Sequence, residues 1–82
     1  MHISSLIVDA RADQAAELRD TLATWPGVEV HALTPEGRLV LTLETDTDAQ
    51  TTDLYARIGT TRGVMSLALV YHHFEPETEL EA

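Results

Sequence analysis

Histidines and carboxylates are the first residues to weigh for metal or acid–base chemistry in this chain, because its 82 residues include no cysteine. That excludes a disulfide framework, a thiolate metal centre and a thiol nucleophile. The densest histidine pair is His72-His73. Neighbours on a strand point to opposite faces, so these two are poorly placed to hold one metal ion together. Either could pair with His31 or with a glutamate, but the spacing requires neither, and the sequence reads as having no metal site. No G-x-S-x-G, P-loop or G-x-G-x-x-G is present, and no catalytic residue is assigned. Arg11 follows the first apolar run, where an anion-binding loop would sit, but no glycine-rich cradle accompanies it. What remains is a set of acids, Asp9, Glu29 and Glu44, suited to meeting a cationic group.

The elements that position these residues follow from hydrophobic period. Ile3 to Val8 is an unbroken short apolar run, hence a strand. Ala15, Leu18, Leu22 and Trp25 fall at i, i+3, i+7 and i+10, one stripe of a helix that Pro26-Gly27 stops. Trp25 closes that stripe and is read as a cap on the core. Val28 to Leu33 and Leu39 to Leu43 alternate with period two around Thr34-Pro35-Glu36-Gly37, a hairpin. Asp46, Thr47 and Asp48 offer an N-cap and negative charge to a second helix, whose stripe is Thr51, Leu54, Tyr55 and Ile58. Val64 to His72 is the last strand. The order β-α-β-β-α-β predicts an α+β, ferredoxin-like sandwich over residues 1–74: a four-stranded antiparallel sheet with both helices on one face. Residues 75–82 hold Glu75, Glu77, Glu79 and Glu81 and read as an acidic, solvated tail.

Alternation divides each strand between two faces. The more apolar sets are expected under the helices: Leu6 and Val8; Val28, Val30 and Ala32; Leu39, Leu41 and Leu43; Met65, Leu67, Leu69 and Tyr71. The open face then carries Ser5, Ile7 and Asp9, then Glu29, His31 and Leu33, then Val40, Thr42 and Glu44, then Ser66, Ala68, Val70 and His72. Its middle is small and smooth, and its acids stand at the rim, the anatomy of a binding surface. A homodimer interface or a plain solvated face would carry a similar pattern.

Fourteen acidic against five basic side chains leave a formal charge of −9. Such a surface repels phosphate backbones, so neither nucleic acid nor an anionic membrane is an expected partner, while a basic one is. The N-terminus lacks the basic and apolar regions of a signal peptide, and no run reaches the ~20 apolar residues of a membrane span. A cytoplasmic location without membrane insertion is expected. RNA-binding relatives of this fold class carry sheet aromatics and basic surroundings, and heavy-metal transfer domains carry a cysteine pair. Neither signature is present.

Several segments in order resemble the NapD family: Ser5-Leu6-Ile7-Val8, Pro26-Gly27-Val28-Glu29-Val30, Gly37-Arg38-Leu39-Val40-Leu41-Thr42-Leu43-Glu44, Gly63-Val64, and Leu69-Val70-Tyr71-His72-His73 followed by Glu75. The resemblance spans roughly residues 3–75. It implies the βαββαβ fold and a cytoplasmic chaperone without a cofactor of its own. It further implies a partner, the twin-arginine signal peptide of the periplasmic nitrate reductase catalytic subunit, held until that enzyme's molybdenum cofactor is loaded. On this reading Ser5, Ile7, Asp9, Glu29, His31, Val40, Thr42, Glu44, Ser66, Ala68 and Val70 are the candidate peptide-binding residues. The alternative is a homodimeric, ferredoxin-like regulatory domain that senses a small molecule. The chaperone reading leaves homo-oligomerisation possible.

Overall fold

Alternation decides the first strand. β1 (His2–Ala10) buries Ser4, Leu6, Val8 and Ala10 and turns Ser5, Ile7 and Asp9 the other way. In this computed structural model, which describes residues 1–74, five elements follow: α1 (Ala15–Leu22), β2 (Val28–Leu33), β3 (Arg38–Thr45), α2 (Asp48–Gly59) and β4 (Val64–Phe74). The expected acidic tail, 75–82, lies outside the described residues. The four strands form one antiparallel sheet in the order β2-β3-β1-β4, so the first and third strands are central, as the βαββαβ order requires.

One core joins sheet and helices. Leu6 and Val8 of β1 and Leu39, Leu41 and Leu43 of β3 meet Ala15, Leu18 and Leu22 of α1 and Ile58 of α2. Each such leucine contributes about 1.5–3 kcal/mol by leaving water. Trp25 packs on the edge of this cluster, and the Arg57 guanidinium lies 4.7 Å above its ring. α2 is capped by Thr47, whose Oγ1 accepts the Gln50 amide at 3.1 Å while Gln50 Oε1 accepts the Asp46 amide at 2.9 Å. This reciprocal pair satisfies two donors at the helix entry. No helix of the described residues is long and apolar enough to cross a membrane.

The strand phase departs from simple alternation at three places, all on the two outer strands. The β1–β3 ladder runs without a break from His2↔Thr45 to Asp9↔Arg38. The β2–β3 register shifts between Val30 and Ala32. The β1–β4 register shifts at Ser5/Leu6, around Val70, and at Asp9/Ala10, around Met65. An extra residue in one strand reverses the alternation beyond it. Ala32 therefore lies opposite Val40 on the open face, and Leu33 turns toward the core. Tyr71 lies opposite Ser5 on the open face, and His72 lies opposite Ser4 on the helix side. All four sit on the face opposite to the one that uninterrupted alternation assigns. Met65 and Leu69, expected under the helices, are largely exposed, and Met65 is the residue that the second β4 irregularity leaves unpaired.

Candidate functional site

The open face is a grid fixed by the pairing. One row across the sheet is Glu44, Ile3 and His73; the next is Glu29, Thr42, Ser5 and Tyr71. Ala32, Val40, Ile7 and Ala68 make the third, and Arg38, Asp9 and Ser66 the fourth. The face therefore brings together ten of the eleven candidate residues. His31, at the β2 irregularity, joins them through a 2.8 Å hydrogen bond between its Nε2 and Thr42 Oγ1. Val70 is the eleventh: it has no partner in the β1–β4 ladder and is 59% exposed at the bulge beside Tyr71.

The two ends of the grid differ in charge. At one, Asp9 is already engaged. Arg38 Nε donates to Asp9 Oδ1 at 2.9 Å and Arg38 Nη2 donates to Oδ2 at 3.3 Å, a bidentate fork. Ser66 Oγ donates to Oδ2 at 3.0 Å. Arg38 first, then Ser66, holds the Asp9 carboxyl below the usual aspartate range, and Asp9 raises the Arg38 guanidinium in turn. At the other end, Glu29 and Glu44 are exposed, and among the described residues neither has a cationic partner. They border a shallow hollow of about 170 Å³ with Ile3, Val28 and Thr42. Gly27 fixes that end. Its φ of +82° is a conformation L side chains rarely adopt, its carbonyl accepts the Glu44 amide at 2.8 Å, and a Cβ there would lie 2.6 Å from the Glu44 carbonyl oxygen.

Between these ends lies the small apolar middle of Ile7, Val40, Ala32 and Ala68. On the outer strand Tyr71, next to this middle, stacks with His73 toward the acidic end, their centroids 6.2 Å apart. That aromatic pair is the feature simple alternation misses, since it depends on the bulge. The pairing of Asp9 with Arg38 is the other omission. A charged residue of each sign at the ends of β1 and β3 was its only signal, and the register decides that they meet.

The loop after β1 is not an anion cradle. The Ala10 and Arg11 amides donate to the carbonyls of Gly37 and Gly63, at 2.9 and 3.2 Å, so neither points at a ligand. The Arg11 side chain turns to Asp13 at 3.6 Å.

On the helix side of the same sheet, three donors converge that sequence reading keeps apart. His2 Nδ1 lies 3.3 Å from His72 Nε2 and 3.2 Å from Asp48 Oδ1. They come from β1, β4 and the first residue of α2. Only the bulge at Val70 brings His72 to this side.

Comparison with known proteins agrees with this architecture. The family model described as NapD protein matches residues 1–76. A chaperone NapD from Paracoccus pantotrophus is 42% identical over 82 residues, all of this chain and 72% of the relative. A chaperone NapD from Escherichia coli strain K12 is 27% identical over 78 residues, 94% of this chain and 90% of that one. Among solved structures, the solution structure of the E. coli Tat proofreading chaperone NapD superposes with a TM-score of 0.81 at 26% identity, over 92% of this chain and 80% of that one. The same four-stranded sheet and two helices, matched along nearly the whole length, place the chain in the NapD family, whose named members here are chaperones and not enzymes.

Proposed function

We propose that this chaperone binds the twin-arginine signal peptide of the periplasmic nitrate reductase catalytic subunit and delays its export until the molybdenum cofactor is in place. The observation that carries the reading is the polarity of the open face: an apolar middle with an acidic end at which Glu29 and Glu44 have no cationic partner among the described residues. A twin-arginine peptide has matching parts, a basic pair followed by an apolar stretch. Docked as a helix, it would lay the apolar stretch over Ile7, Val40 and Ala68, whose small neighbours allow close approach. Its guanidinium groups would meet Glu29 and Glu44, where planar forks pair with carboxylates. Asp9 is a weaker candidate than the other two acids, because Arg38 already holds it.

The test is calorimetry with the cognate signal peptide and its twin-lysine variant, on the wild-type chain and on E29K/E44K. Binding should weaken roughly tenfold or more in the double variant, and the twin-lysine peptide should bind less tightly than the twin-arginine one. Equal affinity in a folded double variant would remove Glu29 and Glu44 from the site. Absence of binding at tens of micromolar would favour the homodimeric sensor instead.

A further inference from the structure

We infer that His2, His72 and Asp48 form a binding site for one divalent transition-metal cation, zinc being the best fit. The site lies on the helix side of the sheet, away from the face assigned to the peptide, and does not depend on that assignment.

The geometry is that of a three-ligand corner. The donor atoms His2 Nδ1, His72 Nε2 and Asp48 Oδ1 all lie within 4.8 Å of one another. Their separations are 3.3 Å between the two nitrogens, 3.2 Å from His2 to Asp48 and 3.9 Å from His72 to Asp48. Tetrahedral zinc with bonds of 2.0–2.1 Å sets neighbouring ligands about 3.3–3.4 Å apart. Two of the three edges already have that length. The third shortens by rotation of Asp48, whose side chain is 83% exposed and free to move.

The imidazoles are also held as ligands usually are. His72 Nδ1 is 2.8 Å from the hydroxyl of Ser4, a residue with no exposed surface. With Nδ1–H donating to Ser4 Oγ, the His72 Nε2 lone pair points at the other two donors, which is the outer-shell support that orients metal-binding histidines. His2 is pinned between two rings, 5.3 Å from the His72 centroid and 4.7 Å from the Phe74 centroid. Two neutral nitrogens and one carboxylate suit a borderline cation, and leave a fourth position for water. A bound ion would tie the start of α2 to both β1 and β4.

Zinc titration of the untagged, chelator-treated chain tests this. One equivalent should bind saturably, and Co²⁺ in its place should give the visible absorption of a tetrahedral site. H2Q and D48N should each weaken binding at least severalfold. S4A should weaken it less, as a positioning change that removes no ligand, while H31Q and H73Q should leave it unchanged. Asp48 is exposed and His2 lies at a strand end, so both variants are checked for folding by circular dichroism; H72Q is added if it folds. Zinc affinity unchanged in folded H2Q and D48N would overturn the site. So would the absence of saturable binding up to hundreds of micromolar, which would leave a hydrogen-bonded triad only.

Discussion

A single carboxylate separates the two ends of the open face. Asp9 is held by Arg38 and Ser66, and its depressed titration is a property of the folded state alone. Its contribution to stability is therefore present above the unfolded aspartate range, near 3.9, and is lost as pH falls through the lower folded value. Carbon-detected NMR titration should place the Asp9 midpoint below the ordinary aspartate range and return it toward that range in R38Q. A midpoint that ignores R38Q would show that the fork does not persist in solution. Because the pair is exposed, its contribution to stability is small. On the proposed reading its larger effect is on recognition, since it neutralises one end of the face and leaves Glu29 and Glu44 as the anionic end. The acids themselves were legible in the sequence, because alternation puts all three on one face. Their inequality was not, because it depends on the long-range register that sets Asp9 opposite Arg38.

At the scale of elements, the period-two and helical patterns carried the whole βαββαβ order, and the central strands obey alternation residue by residue. The outer strands do not. Alternation is enforced where both neighbours are paired, and an edge strand can accept an extra residue at little cost. A bulge leaves no compositional mark, so Tyr71 and His72 were assigned to the wrong faces, and the cluster of His2, Ser4, Asp48 and His72 could not be foreseen. The pairing makes a specific prediction. Ser5 faces Tyr71 and Leu6 faces Leu69, with Val70 alone between them. A chain lacking Val70 should keep both pairs and lose only the bulge. Its cross-strand nuclear Overhauser contacts should still join Ser5 to Tyr71 and Ser4 to His72, with stability changed by about 1 kcal/mol or less, since a surface residue outside the core is removed. Contacts shifted by one residue would mean that the bulge sets the register.

For the molecule as a whole, the charge of −9 acts on encounter more than on fold. An acidic chaperone meeting a basic peptide is steered at long range, and salt removes that steering while leaving buried contacts in place. Stopped-flow association of the twin-arginine peptide should slow severalfold between about 0.02 and about 0.5 M salt, where the screening length falls from tens of ångströms to a few. The dissociation rate should change much less. An association rate indifferent to salt would argue that the net charge plays no part in recognition.

The irregularities on β2 and β4 have one more effect. A long, regular outer strand offers a template on which further chains can zip edge to edge into ribbons. Here β4 spans 11 residues and carries exposed Met65, Leu69, Val70, Tyr71 and Phe74, the composition of a sticky edge. Its bulges around Met65 and Val70 cut that edge into runs too short and too bent for a straight strand to follow, and the irregularity at His31 does the same on the opposite border. Both margins of the sheet are thus poor templates for edge-to-edge pairing, which would let the proposed peptide face stay apolar without the chain seeding fibres of itself.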